Sequence, residues 1–164
     1  PDKRFHFKPD WSRVGPSFEL MPELPDHMPV ENDIDLQHPF RLVAAPARQF
    51  LNTSFTETAT SQKAEHRPTL MLRAEDAAQY EVEDGGLVRV GNRLADILLH
   101  AKICDGMQPG VVIIESIWPN RAFIEGLGVN ALVSAEPGLP NGGAIYHDTA
   151  VWIKPETGRQ HESA

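Results

Sequence analysis

From His38 onward the chain is divided into short apolar runs, each ended by a turn signal, and this rhythm restricts the fold more than any other feature. Runs this short suit strands, because a helix that buries one face needs apolar residues every third or fourth position over a longer span. Phe40 to Ala45 and Thr69 to Leu72 read as strands, and Asp84-Gly85-Gly86 turns the chain into another at Leu87-Val88-Arg89-Val90. Gly91-Asn92 makes a hairpin turn before Ile97 to Cys104, where Ile97, Leu99, Ala101 and Ile103 share one face. Gly110 to Ile114 is apolar on consecutive residues, as in a strand covered on both sides. The last strand is Ile145 to Lys154, with Ile145, His147, Thr149, Val151 and Ile153 on one side. Ala74 to Tyr80 has good helix formers with acidic residues in the first turn, and Asn130 to Ser134 suits one or two helical turns. The sum is a mainly β domain with short helices, a barrel rather than a doubly wound sheet.

The front of the chain is different. Eight of the fourteen prolines lie within the first 46 residues, each fixing φ and removing an amide donor, so Pro16 to Pro29 should run extended. Residues 1–37 are expected to form an extended, Pro-rich connecting segment with one short strand at Arg4-Phe5-His6-Phe7-Lys8. Residues 38–155 form the barrel and 156–164 a disordered tail. The lone Cys104 excludes an intrachain disulfide and the Cys-rich zinc and iron–sulfur motifs. Pro137 to His147 is the longest stretch without Asp, Glu, Lys or Arg, short of the ~20 apolar residues of a membrane helix, so no membrane contact is expected from this segment. The N-terminus lacks an apolar signal core, and the default expectation is cytoplasmic. A net charge of −8, with 15 Lys and Arg scattered singly, argues against a nucleic-acid surface but not against a phosphate ligand held by backbone amides.

The common catalytic templates are missing: no G-x-S-x-G elbow, no phosphate loop ending in Gly-Lys-Ser/Thr, no G-x-G-x-x-G and no H-E-x-x-H. The seven histidines are too far apart in sequence to form a local metal motif, and neither a catalytic residue nor a metal ligand is assigned. What stands out is small and polar residues where loops leave strands. Ala45-Pro46-Ala47-Arg48-Gln49-Phe50-Leu51-Asn52-Thr53-Ser54-Phe55 can turn amides and hydroxyls toward phosphate or ribose oxygens, or simply cap a surface loop. In Glu115-Ser116-Ile117-Trp118-Pro119 the tryptophan is either core or a flat wall beside a planar ring. Gly142-Gly143, ahead of Tyr146-His147-Asp148, lets backbone approach a ligand or serves as a plain loop.

Taken in order, these segments resemble the C-terminal dinucleotide-binding domain of the molybdopterin oxidoreductases of the dimethyl-sulfoxide-reductase and formate-dehydrogenase type. The resemblance runs from about His38 to Lys154. It is carried by His38-Pro39-Phe40-Arg41-Leu42-Val43, Phe50-Leu51-Asn52-Thr53-Ser54-Phe55, Glu75-Asp76-Ala77-Ala78 leading to Asp84-Gly85-Gly86-Leu87-Val88-Arg89-Val90, Pro109-Gly110-Val111-Val112, Asn130-Ala131-Leu132-Val133, and the Gly142 to Asp148 stretch. Lys3 to Phe7 is similar to the strand that precedes this domain in the full enzymes. Leu94-Ala95 stands where the family has Arg-Gly. The resemblance implies a six-stranded double-psi β-barrel and, as ligand, molybdopterin guanine dinucleotide, with molybdenum or tungsten held mainly by other domains. It implies that Pro46, Ala47, Asn52, Thr53 and Ser54 supply amides and hydroxyls to one dinucleotide. Trp118 then lines the cofactor cleft, Asn130 bonds a pterin or amide edge, and Gly143, Tyr146 and His147 approach the pterin and its phosphates.

The function expected on this basis is that of the cofactor-binding C-terminal domain of a molybdopterin oxidoreductase, catalytically inert as an isolated chain. It would orient the cofactor for a metal-centred two-electron redox step or oxygen-atom transfer, with the remaining domains of the parent oxidoreductase as its partners. An export signal of the parent would lie upstream of Pro1. A stand-alone double-psi barrel acting as a binding or interaction module is the alternative from another class. A small acid–base enzyme on the same barrel is a third.

Overall fold

The computed structural model describes residues 2–8, 10–13, 18–24, 26, 34–139 and 142–156. Six strands close into a barrel: β1 (Phe40–Pro46), β2 (Thr69–Leu72), β3 (Leu87–Gly91), β4 (Asp96–Ile103), β5 (Val111–Ser116) and β8 (Thr149–Pro155), in the spatial order β1-β5-β2-β4-β3-β8. A two-stranded ladder outside the barrel, β6 (Pro137–Gly138) with β7 (Gly143–Ala144), completes the set. The β1–β5 and β2–β4 pairs are parallel and the other barrel pairs antiparallel. Each parallel pair needs a long crossover, and parallel strands end at the same side of the barrel.

Alternation explains why these runs are strands. On β2 the burial pattern alternates, with Leu70 and Leu72 inside, and Val112 and Ile114 do the same on β5. Val88, Val90, Ile97, Leu99, Val151 and Ile153 fill the rest of one continuous core, and Leu132 closes it from the loop side. The flanking residues of β5, Val111 and Ile113, are half-buried, so this strand is covered on both sides as its unbroken apolar run suggests. Gly91 has no room for a side chain, since a Cβ there would meet the Trp152 ring at 2.3 Å. The β3–β4 turn has no glycine at Leu94-Ala95. It is closed by Asn92, whose side-chain oxygen accepts the N–H groups of Leu94 (2.8 Å) and Ala95 (3.3 Å).

Several expectations are corrected. No strand forms at Arg4–Lys8: these residues are coil, with Phe5 80% and Phe7 75% exposed, because a closed barrel offers no free edge for another strand to join. Much of the stretch from Pro16 to Pro29 lies outside the described residues. Its neighbour Trp11 opens a single 3-10 turn, Phe18–Leu20 makes another, and the Trp11 Nε1–H donates to the Pro22 carbonyl at 2.7 Å. The last strand begins at Thr149 rather than Ile145, since Asp148 takes a φ of 70° and breaks the extended run. Cys104 lies one step beyond β4, its N–H donating to the Leu72 carbonyl. Glu156 belongs with the barrel rather than the tail: its N–H bonds the Leu87 carbonyl and its carboxylate reaches Arg89. The tail from 157 lies outside the described residues.

Helix α2 (Ala74–Gln79) and a 3-10 turn at Val129–Leu132 stand where expected. An additional helix, α1 (Ala59–Glu65), has no buried residue and so left no apolar period to read. It is held by polar contacts: Gln62 Nε2 donates to the Thr56 carbonyl at 2.8 Å, and Glu65 accepts the Gln49 N–H at 2.5 Å.

Candidate functional site

The parallel pairing of β1 with β5 places Pro46 opposite Ser116, so the loops leaving both strands start at the same rim of the barrel. They lock together there. Phe50 from the first loop meets Trp118 from the second edge to face, with ring centroids 4.8 Å apart. The first loop folds tightly: the Ala47 carbonyl accepts the Phe50 N–H, and Leu51 and Ser54 exchange a pair of backbone bonds. Asn52 turns the corner at φ 51°, a left-handed conformation that its short polar side chain tolerates. Thr53 is fixed from behind, its carbonyl accepting the Thr56 hydroxyl at 3.0 Å.

Between the two loops lies a cleft of about 480 Å³, lined by Thr53, Ile117, Trp118, Phe123, Gly128 and Asn130 among others. Its lining includes the Trp118 and Phe123 rings, the Thr53 hydroxyl and the Asn130 carboxamide. Its far side depends on Gly128, where a Cβ would meet the Asn120 side-chain oxygen at 2.7 Å. Two polar anchors hold that side. Asn92 Nδ2 donates to the Leu132 carbonyl at 2.7 Å, and Arg89 forms a bidentate pair with Glu125, both bonds 2.9 Å, besides contacts to Asp96 and Glu156. These carboxylates, Glu125 first, raise the Arg89 pKa further above its already high ordinary value, so the brace is always charged.

The structure thus gathers Thr53, Trp118 and Asn130 into one cleft. Pro46, opposite Ser116 at the rim, and Ala47 do not line it. Ala47 is buried and offers only backbone, while Asn52 and Ser54 are exposed on the same loop. Gly143, Tyr146 and His147 are exposed and do not line the cleft. The register Leu42–Thr149 between β1 and β8 still brings the chain just before β8 to the rim that carries Pro46. Trp118 is partly buried against the core and also lines the cleft. Ile117, Phe123 and Gly128 were not identified from sequence. Ile117 is the most unusual of them, a β-branched residue at φ 75°. A larger cleft of about 600 Å³ lies past the C-terminal end of α1 and carries mixed charge from Glu65, Arg67, Asp84, Lys102 and Glu115. Among the described residues no group of three or more His, Cys, Asp or Glu is arranged to hold a metal ion.

The strand order, crossovers and rim loops are those of a double-psi β-barrel. By fold alone the chain is similar to acetylene hydratase from Pelobacter acetylenicus, with a TM-score of 0.60 at 14% identity, over 72% of this chain and 18% of that one. The chain belongs to the family described as the molydopterin dinucleotide binding domain, whose sequence pattern matches residues 40–151. It is 32% identical over 133 residues to "Probable oxidoreductase YoaE" of Bacillus subtilis, spanning 81% of this chain and 19% of that protein. It is also 26% identical over 132 residues to "Respiratory nitrate reductase subunit alpha" of Haloferax mediterranei, spanning 80% of this chain and 13% of that protein. The chain therefore corresponds to under a fifth of the length of these relatives.

The residues present fit a molybdopterin cofactor. A planar fused ring suits a cleft lined by an indole, a carboxamide and a hydroxyl, and phosphate or ribose oxygens suit the exposed side chains of Asn52, Thr53 and Ser54.

Proposed function

We propose that this chain binds molybdopterin guanine dinucleotide at the rim shared by β1 and β5 and orients it within a larger oxidoreductase. The observation that carries the reading is the convergence of Thr53, Trp118 and Asn130, distant in sequence, on one cleft. The cofactor, when bound, supplies the metal-centred two-electron redox or oxygen-atom transfer chemistry, with its molybdenum or tungsten held mainly by other domains. This chain's own residues bind and position. Trp118 covers one face of a ring, the Asn130 carboxamide can donate and accept at its edge, and the 46–55 loop offers amides and hydroxyls to phosphate and ribose. His147 and Tyr146 approach from the β8 side, where an imidazole N–H can donate to a phosphate oxygen. The coverage of much longer relatives supports the remaining domains of such an enzyme as partners, and no observation favours a stand-alone binding module.

A titration of the chain with molybdopterin guanine dinucleotide, followed by backbone amide shifts, tests this. Shifts are expected in residues 46–55, 116–118, 130 and 143–148. Movement elsewhere with these segments silent overturns the assignment.

A further inference from the structure

Tyr146 and His147 form the part of the proposed site that neither the cleft nor a strand ladder holds. Upstream, the chain is tied back through the pairing of Gly143 and Ala144 with Gly138 and Pro137. Downstream, β8 starts only at Thr149. Both side chains are exposed, Tyr146 at 64%.

Between this arm and β8 sits Asp148, at φ 70°, and one side chain of β1 grips it from both sides of its Cα. The Arg41 Nη1–H donates to the Asp148 carbonyl at 2.8 Å, and its Nε–H donates to the Asp148 carboxylate at 2.9 Å. A guanidinium is planar and rigid, so binding the carbonyl and carboxylate of one residue sets the place of that residue and the direction in which the chain leaves it. Arg41 is itself well anchored. It stands in β1 between Val111 of β5 and Ala150 of β8, its N–H bonds the Gly110 carbonyl, and its side chain is only 19% exposed.

We propose that Arg41 and Asp148 form a latch that positions the Tyr146–His147 arm at the barrel rim. They are positioning residues and touch no ligand. The inference rests on the cofactor-binding reading above for its purpose, though the order of the arm is a property of the ligand-free chain. An exposed segment with side chains in water gains little from its own contacts, and its ordering cost must be met by the anchor at its end.

The test combines 15N relaxation of the Ile145, Tyr146 and His147 amides in the free chain with calorimetric titration of molybdopterin guanine dinucleotide. In Asp148→Ala and in Arg41→Met these amides become more mobile, and cofactor affinity falls about tenfold. Asp148→Asn keeps an acceptor oxygen and tolerance of the left-handed conformation, and it recovers most of the order. In a double-mutant cycle, His147→Ala with Asp148→Ala loses less affinity than the two single losses summed, because part of the latch's effect is carried by that side chain. Amides as rigid in Asp148→Ala as in the wild type, or losses that simply add, overturn the latch. If the wild-type chain does not bind the cofactor, the functional reading fails and the amide relaxation decides the latch by itself. Should Arg41→Met fail to fold, the Asp148 variants, at a half-buried position outside the strands, carry the same comparison.

Discussion

At Trp118 the indole is held edge-on by Phe50 and rests partly on the core, which leaves a fixed surface facing the cleft. A rigid aromatic wall binds a planar ring without losing much side-chain freedom, so its removal is felt more in binding than in folding. Trp118→Ala is expected to weaken molybdopterin guanine dinucleotide about tenfold, with a smaller loss of stability, of order 1 kcal/mol, from the Phe50 contact. Parallel calorimetric titration and thermal melting separate the two, and equal affinity in the variant would remove Trp118 from the site. The preceding Ile117 pays for this placement with a left-handed backbone, a strain of roughly 1–3 kcal/mol that its neighbours must hold. Strain of this kind leaves no sequence signal, because isoleucine is an ordinary strand residue at the end of an apolar run.

Among the elements, β5 pairs in parallel with β1 on one side and antiparallel with β2 on the other. Ile114 is fully buried at its midpoint, and Ile114→Ala should destabilise the barrel by about 2–5 kcal/mol, measured by denaturant melts. A loss below about 1 kcal/mol would mean the core repacks around the gap. The entry to β1 is set by Asp35, whose carboxylate accepts the N–H groups of Gln37 (2.8 Å) and His38 (2.6 Å). The His38 N–H, foremost, lowers the Asp35 pKa below its ordinary value. A depressed carboxyl contributes stability that is present above its unfolded pKa and lost as pH falls through the folded one. Thermal melts between about pH 4 and pH 2 should therefore decline less steeply in Asp35→Asn than in the wild type, and identical slopes would show that this turn adds nothing. Strands were legible in the sequence to within a residue at β1, β2 and β3, and β5, read from its unbroken apolar run, extends two residues further, to Ser116. Helix α1 was not, since Ala-Thr-Ser-Gln-Lys-Ala-Glu has no apolar face and is held by Glu65 and Gln62 contacts.

For the molecule as a whole, the core among the described residues runs from Phe40 to Ile153, and all six barrel strands lie between Phe40 and Pro155. Removing residues 1–33, which keeps the Asp35 turn, should leave a single cooperative thermal transition, and loss of that transition would show that the leading segment is part of the folding unit. Strand content and a barrel were determined by the sequence alone, because alternation and turn chemistry act over a few residues and survive in one dimension, and the family followed from the resemblance carried by segments in order from His38 to Lys154. The tertiary structure decided which loops meet. Thr53, Trp118 and Asn130 share a cleft because β1 and β5 lie parallel, so the two strands end at one rim and the loops that leave them, far apart in the chain, start side by side. The grip of Arg41 on Asp148, across 107 residues, is of the same kind. Long-range pairings of this sort leave no local pattern, since what selects the partner is the register of the strands between which it sits.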